Sequence, residues 1–167
     1  MRPHLRQGQT LDAGSIGDIL HGFETGTPWM PKQHSAAEAV SFCAMMIDRG
    51  WVTLAELAGD EQDEQDGRVD YGDHVVRPAI RGFIARDEEE VHALYVRPGW
   101  TGRGIGKALL QDAMARSPRL WLWTFQANHG AQKFYLREGF VESRRTDGAG
   151  NDEGLPDIQY SWPAEAT

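Results

Sequence analysis

The stretch VHALYVRPGWTGRGIGKALLQDAMAR, residues 91–116, sets Gly99, Gly102, Gly104 and Gly106 between an apolar run of strand length and a helical pattern. A helix start leaves several backbone N–H groups without intrahelical partners and carries a partial positive charge, so it can receive an anion. Side chains would obstruct that approach. Gly102, Gly104 and Gly106 remove Cβ atoms where a phosphate would come closest, and Gly99 or Gly102 can take positive φ in the turn. Arg103 and Lys107 add cationic donors, and Ile105 begins the inward face of the helix. Two familiar phosphate loops do not fit. The pattern G-x-x-x-x-G-K-[ST] fails because Thr101 holds its first glycine position and Ala108 replaces the magnesium-binding hydroxyl. The dinucleotide pattern G-x-G-x-x-G fails because Lys107 stands in place of its last glycine. A ligand-free turn and cap is the plain alternative, but three alternating glycines cost conformational entropy without helping packing.

The elements that must hold this loop follow from periodicity. A short strand is expected at residues 3–9, and Ile16, Ile19, Leu20 and Phe23 recur at helical spacing. Ser35 and Glu38 have capping-box spacing before the stripe Ala36, Val40, Cys43, Ala44 and Ile47, which Gly50 ends. WVTLAELAG reads as a strand, and the acidic stretch DEQDEQDGRVDYGDH as a surface loop, with room for a short hairpin. AIRGFIA and EVHALYV form a hairpin around RDEEE. Glu90 and His92, two residues apart, are expected to share one strand face with Leu94 and Val96. In the next helix Ile105, Leu109, Ala113 and Met114 point inward. LWLWTF is a continuous apolar run, expected in mid-sheet with both faces covered. Asn128 can cap the helix HGAQKFYLRE, which Gly139 ends, and FVESRR and DIQYSW close the chain as strands around TDGAGNDEGLP. The fold class is therefore mixed α/β: one sheet of about seven strands, largely antiparallel, with helices on both faces, and one domain spanning 1–167.

Bulk properties narrow the partners. The 167 residues carry 17 Lys and Arg against 25 Asp and Glu, a formal charge of −8, so the basic footprint of a nucleic-acid binder is missing. The lone Cys43 cannot form an internal disulfide and reads as core, the sequence opens without a charged-then-apolar leader, and no apolar run has the length of a membrane span. A cytoplasmic protein with no membrane partner is expected. The six histidines offer no pair four residues apart on a helix and no partner cysteines, so no metal is expected.

LYVRPGWTGRGIGKALL resembles the acetyl-CoA motif of the GNAT superfamily of N-acetyltransferases, written Q/R-x-x-G-x-G/A, and NHGAQKFYLREGF resembles the second signature, N-x-x-A-x-x-F-Y-x-x-x-G-F. Together they cover about residues 90–140 in the family's order. The resemblance implies an enzyme that moves an acetyl group from acetyl-CoA to a primary amine by direct transfer in a ternary complex. It implies that the backbone of Leu94, Tyr95 and Val96 pairs with the pantetheine arm, that N–H groups from Gly102 to Lys107 hold the pyrophosphate, and that Asn128 binds the arm while capping its helix. One departure is Thr101, where the family prefers Gln or Arg.

Acetylating an amine requires a base for the ammonium, a donor for the oxyanion and an acid for the leaving thiolate. By resemblance Tyr135 is the acid; on residue type alone it reads as a core tyrosine beside Phe134. Glu90 matches a glutamate that serves some family members as base, with His92 the second candidate; Glu90 could equally continue the exposed acidic turn. Other members carry the base on the fifth strand, where Trp123 stands here. The oxyanion is expected at a backbone N–H near Leu94 or Tyr95. Trp29 and Met30, and the polar loop with Asp147, Asn151, Asp152 and Glu153, occupy segments that flank the acceptor in similar enzymes; the loop acids read as solvation or as a grip on a cationic amine. The acceptor is a small-molecule or peptide amine of open identity, and a homodimer is compatible with what is common among similar enzymes. The rival reading is a catalytically silent, regulatory CoA-binding module.

Overall fold

The computed structural model describes residues 2–58 and 79–163. The acidic stretch at residues 60–74, read above as a loop, lies outside them. In chain order the elements are β1 (His4–Gln7), a 3-10 turn (Thr10–Asp12), α1 (Ala13–Gly26), α2 (Ala36–Asp48), β2 (Val52–Leu57), β3 (Ala79–Asp87), β4 (Glu90–Val96), α3 (Ile105–Arg116), β5 (Leu120–Phe125), α4 (His129–Arg137), β6 (Val141–Thr146) and β7 (Asp157–Trp162). This is the order the periodicities predict.

The expected start and stop residues act as such. Ser35 accepts from the Glu38 N–H while the Glu38 carboxylate accepts from the Ser35 N–H, so two orphan donors at the α2 entrance are satisfied reciprocally. Asn128 accepts from the Ala131 N–H at 3.1 Å and caps α4. The buried stripe of α2 is offset from the one expected: Ala39, Cys43, Met46 and Ile47 are buried, whereas Ala36 is exposed.

The seven strands form one sheet in the order β1-β2-β3-β4-β5-β7-β6. Every neighbouring pair is antiparallel except β4 and β5, which run parallel. Because side chains alternate across a strand, the sheet feeds two cores. On one face α1 and α2 pack Ile16, Ile19, Cys43 and Met46 against Val52, Leu54, Phe83 and Ala85. On the other, α3 and α4 pack Ile105, Leu109, Leu110 and Tyr135 against Ile84, Leu120, Leu122, Ile158 and Tyr160. Each fully buried aliphatic side chain contributes about 1.5–3 kcal/mol relative to exposure. Cys43 is wholly buried, and burial pushes its thiol up to about 11, so it is core and not a nucleophile.

β5 lies inside the sheet, but only one of its faces is covered. Leu120 and Leu122 are buried under α3 and α4, while Trp123, on the opposite face, is 37% exposed. The expectation of a strand covered on both faces is corrected here: α1 and α2 sit over β2–β4, and the same face of β5 is left for a pocket. Among the described residues no helix is long and apolar enough to cross a membrane.

Candidate active site

β4 is where regular pairing breaks. The register against β3 runs from Gly82↔Val96 to Ala85↔Ala93 and then skips to Arg86↔Val91, which leaves His92 as the extra residue of a β-bulge. The bulge reverses the alternation. Val91, Leu94 and Val96 pack on the α3 side, while Ala93 and Tyr95 pack on the α1 side. The expectation that Glu90 and His92 share a face with Leu94 and Val96 is therefore corrected. The two candidates stay together, with His92 Nε2 3.5 Å from Glu90 Oε2, but on the α1 side, where His92 stacks on Trp51.

The neighbouring strand departs at the same place. β5 pairs with β4 only through Glu90↔Trp121 and Val91↔Leu122, and beyond them the two strands part. The Arg97 N–H donates to the Arg81 carbonyl at 2.7 Å, so in this antiparallel ladder Tyr95 and Ala93 also direct their backbone groups to β3. Leu94 and Val96 direct theirs into the gap. Of the three residues expected to offer backbone to a ligand, Tyr95 is corrected: it pairs with Phe83, and its side chain rather than its backbone faces the opening.

At one end of the gap lies the glycine turn. Gly99, Gly102 and Gly104 all have positive φ, at 85°, 76° and 82°, and Gly104 is the N-cap of α3. A Cβ at Gly102 or Gly104 would meet nothing within 4 Å, so the entrance to α3 is open to an approaching group. Gly106 differs: it lies within the helix, and its missing Cβ faces Val96 and Phe134 at 3.6 Å. The turn is anchored by Trp100, which is buried in the α3-side core, with the guanidinium groups of Arg81 at 3.8 Å and Arg103 at 4.3 Å from its ring centre. Arg103 thus sits over an indole as well as beside the turn. Ile105 is buried, while Thr101 and Lys107 are exposed.

Inside the gap a cleft of about 80 Å³ is lined by His92, Leu94, Tyr95, Asn128 and Tyr135, among others. Glu90 does not reach this lining. Tyr135 is 7% exposed, its ring packs on Phe134, Phe140 and Tyr160, and its hydroxyl has no hydrogen-bond partner among the described residues. Burial, with a smaller contribution from Tyr95, pushes the Tyr135 phenol above its usual value, so it keeps its proton. The Tyr95 phenol is pushed up to about 12, chiefly by burial and then by the charges of Glu153, Cys43 and Glu24.

Beyond β5 the cleft adjoins a larger pocket of about 590 Å³, which shares its Trp123, Thr124 and Phe125 wall. Its roof is the segment between β6 and β7. Asn151 holds this segment in shape by donating to the Leu155 carbonyl at 2.7 Å and to Asp157 Oδ2 at 3.2 Å, and Thr146 donates to Asp157 Oδ1. Asp147 accepts from the Ala149 N–H, and the Asp152 carbonyl accepts from Gln33 in the α1–α2 connection. That connection is pinned in turn by Glu24. Burial alone would push the Glu24 carboxyl up, but the His34 and Gln33 N–H groups and the His34 imidazole outweigh it and hold the group below the usual carboxylate range. Trp29, on this connection, packs against Phe125 at 5.7 Å and Phe23 at 6.2 Å, and Phe23 meets Tyr95 at 5.1 Å. Sequence reasoning weighed Trp123 only as a missing base and did not single out Thr124 or Phe125. Their signal was a run too apolar for a surface strand.

The sheet thus splits between its two parallel strands, beside a glycine-opened helix start. The sequence profile described as acetyltransferase (GNAT) domain matches residues 61–142, just under half of the chain, and in that stretch the chain is similar to the GNAT superfamily. Peptidyl-lysine N-acetyltransferase YiaC of Escherichia coli is 42% identical over 90 residues, which are 53% of this chain. The match spans 60% of that relative's length, and under half of two further N-acetyltransferase relatives. In fold, the apo-form solution structure of YjaB from Escherichia coli superposes with a TM-score of 0.70 at 18% identity, covering 99% of this chain and 100% of that one. The yncA structure from Salmonella typhimurium with its cofactor acetyl-CoA superposes with a TM-score of 0.68 at 14% identity, covering 100% and 97%.

Proposed function

We propose that the protein is an N-acetyltransferase that transfers the acetyl group of acetyl-CoA directly to a primary amine within a ternary complex. The observation that carries this reading is the gap between β4 and β5, with the backbone groups of Leu94 and Val96 directed away from β3 into it and Tyr135 on its lining. The residues fit the co-substrate. N–H groups at the entrance to α3, from Gly104 to Lys107, receive the diphosphate with Gly102 leaving space, and Leu94 and Val96 pair with the amide-bearing arm like an added strand. Asn128 lines the same cleft as it caps α4. When bound, acetyl-CoA supplies an acetyl group activated as a thioester.

The chain's own groups then divide the proton work. His92, on the cleft wall, takes a proton from the acceptor ammonium, with the Glu90 and Asp87 carboxylates 3.5 and 3.9 Å from its Nε2. Glu90 acts through His92. The Leu94 N–H, aimed into the gap, donates to the developing oxyanion. Tyr135 keeps its proton until a thiolate departs and then donates it. The names of the YiaC and YjaB relatives support a lysine side chain of a peptide or protein as the acceptor.

The test is release of free thiol from acetyl-CoA on mixing with a panel of primary amines and lysine peptides. Thiol release with an acetylated amine is the expected result. Failure to bind CoA sinks the reading, and CoA binding without transfer to any amine would support the silent regulatory module instead.

A further inference from the structure

Among the acids of the β6–β7 segment, Glu153 stands apart. Asp147 is used by the Ala149 N–H, and Asp157 by Thr146 and Asn151. Glu153 is half-buried, lines the 590 Å³ pocket, and has no hydrogen bond or ion pair among the described residues. Among the described residues it is the pocket-lining acid whose oxygens no protein donor occupies, so they can accept from a cationic ligand. The pocket adjoins the cleft lined by Tyr135, through the shared wall of Trp123, Thr124 and Phe125.

The two ends suit different nitrogens. The reacting amine must lose its proton, and a carboxylate held against it would favour the charged, unreactive form. Glu153 lines the pocket and not the cleft, whereas His92 and Tyr135 line the cleft and not the pocket. Between them the shared wall of Trp123 and Phe125 offers an aromatic surface that suits a methylene stem. The positive charge on the pocket lining, Arg144, lies over the Trp123 ring at 5.7 Å and is outnumbered by Asp147, Glu153 and Asp157. Glu153 is near enough to the cleft for its charge to contribute to the upward push on Tyr95.

We propose that Glu153 receives a second positive charge on the acceptor, so that the enzyme selects amines carrying a further cationic group a few methylenes from the reacting nitrogen. This rests on the acetyltransferase reading. The test compares 1,5-diaminopentane with 1-aminopentane on the full chain, by calorimetric binding to the CoA-loaded protein and by thiol release, for wild type and Glu153→Gln. The diamine is expected to have a KM about ten-fold below that of the monoamine, the weight of one charge-assisted hydrogen bond. In Glu153→Gln that ratio falls to about one, and in Glu153→Lys it inverts. Equal KM values in the wild type, a ratio that survives in Glu153→Gln, or no diamine binding to the CoA-loaded chain overturns the inference. A chain that binds no CoA, or releases no thiol with any amine, instead sinks the acetyltransferase reading beneath it.

Discussion

The indole of Trp51 lies parallel to the imidazole of His92, with ring centres 4.6 Å apart and planes inclined by 5°. The Arg49 guanidinium covers the Trp51 ring, 5.0 Å from its centre. The stack fixes the plane of the imidazole just where the bulge turns β4, and Glu90 and Asp87 flank its Nε2. If His92 is the base, His92→Gln lowers kcat by about 100-fold and removes the rise of rate with pH, while CoA affinity stays unchanged. Trp51→Ala lowers kcat by about ten-fold and alters the pH profile, and Trp51→Phe, which keeps a flat ring, restores most of it. An unchanged profile in His92→Gln would pass the role to Glu90 or solvent.

Tyr135 offers a test of the acid. Its phenol is raised above the ordinary tyrosine value, so the neutral form that can donate persists to higher pH than in a free tyrosine. Activity should therefore hold on the alkaline side well past the point where an exposed tyrosine ionises. Tyr135→Phe is expected to lower kcat by about 100-fold with the dissociation constant for CoA unaltered, read by stopped thiol release and calorimetry. Equal turnover in the variant removes Tyr135 from the acid role.

Glu24 links the acceptor side of the site to acid stability. Its folded value lies below its unfolded one, so its stabilisation is present above the unfolded value and is lost as pH falls through the lower, folded value. Glu24→Ala strips the acceptor from the Gln33 and His34 N–H groups and is expected to cost about 2 kcal/mol near neutral pH. Thermal unfolding against pH should show the gap between wild type and variant closing in acid. A gap independent of pH would mean that the loss comes from packing instead.

Gly148 tests the roof of the pocket. Its φ is +86°, and a Cβ there would lie 2.3 Å from the Leu155 backbone carbon, so Gly148→Ala must displace the β6–β7 segment. KM for the amine should rise by about ten-fold with CoA binding intact. A variant that leaves acceptor KM unchanged would separate this segment from acceptor binding.

Much of the architecture was legible because it is written in short-range patterns. The apolar spacing of Ile16 and Ile19, the Ser35–Glu38 reciprocity and the Asn128 cap are each settled within a few residues, and so is the run of glycines before Ile105. What was not legible depends on pairing between distant segments. Nothing local in EVHALYV announces the extra residue at His92, yet that one insertion sends Leu94 and Val96 to the opposite face from Glu90. LWLWTF suggested burial on both sides because its apolar content is the same whether Trp123 meets a helix or an empty pocket. Gly106 looked like part of the cradle, but whether a missing Cβ faces a ligand or Phe134 is decided by where α4 docks.

The most direct test of the account is a calorimetric titration of CoA into wild type and into Gly104→Val, with helix content checked by circular dichroism. The backbone at Gly104 holds φ at +82°, where a β-branched residue is strained, and the space beside it is the approach to the orphan N–H groups of α3. The account predicts binding in the wild type and a loss of about ten-fold or more in the folded variant. The same affinity in both proteins would contradict it.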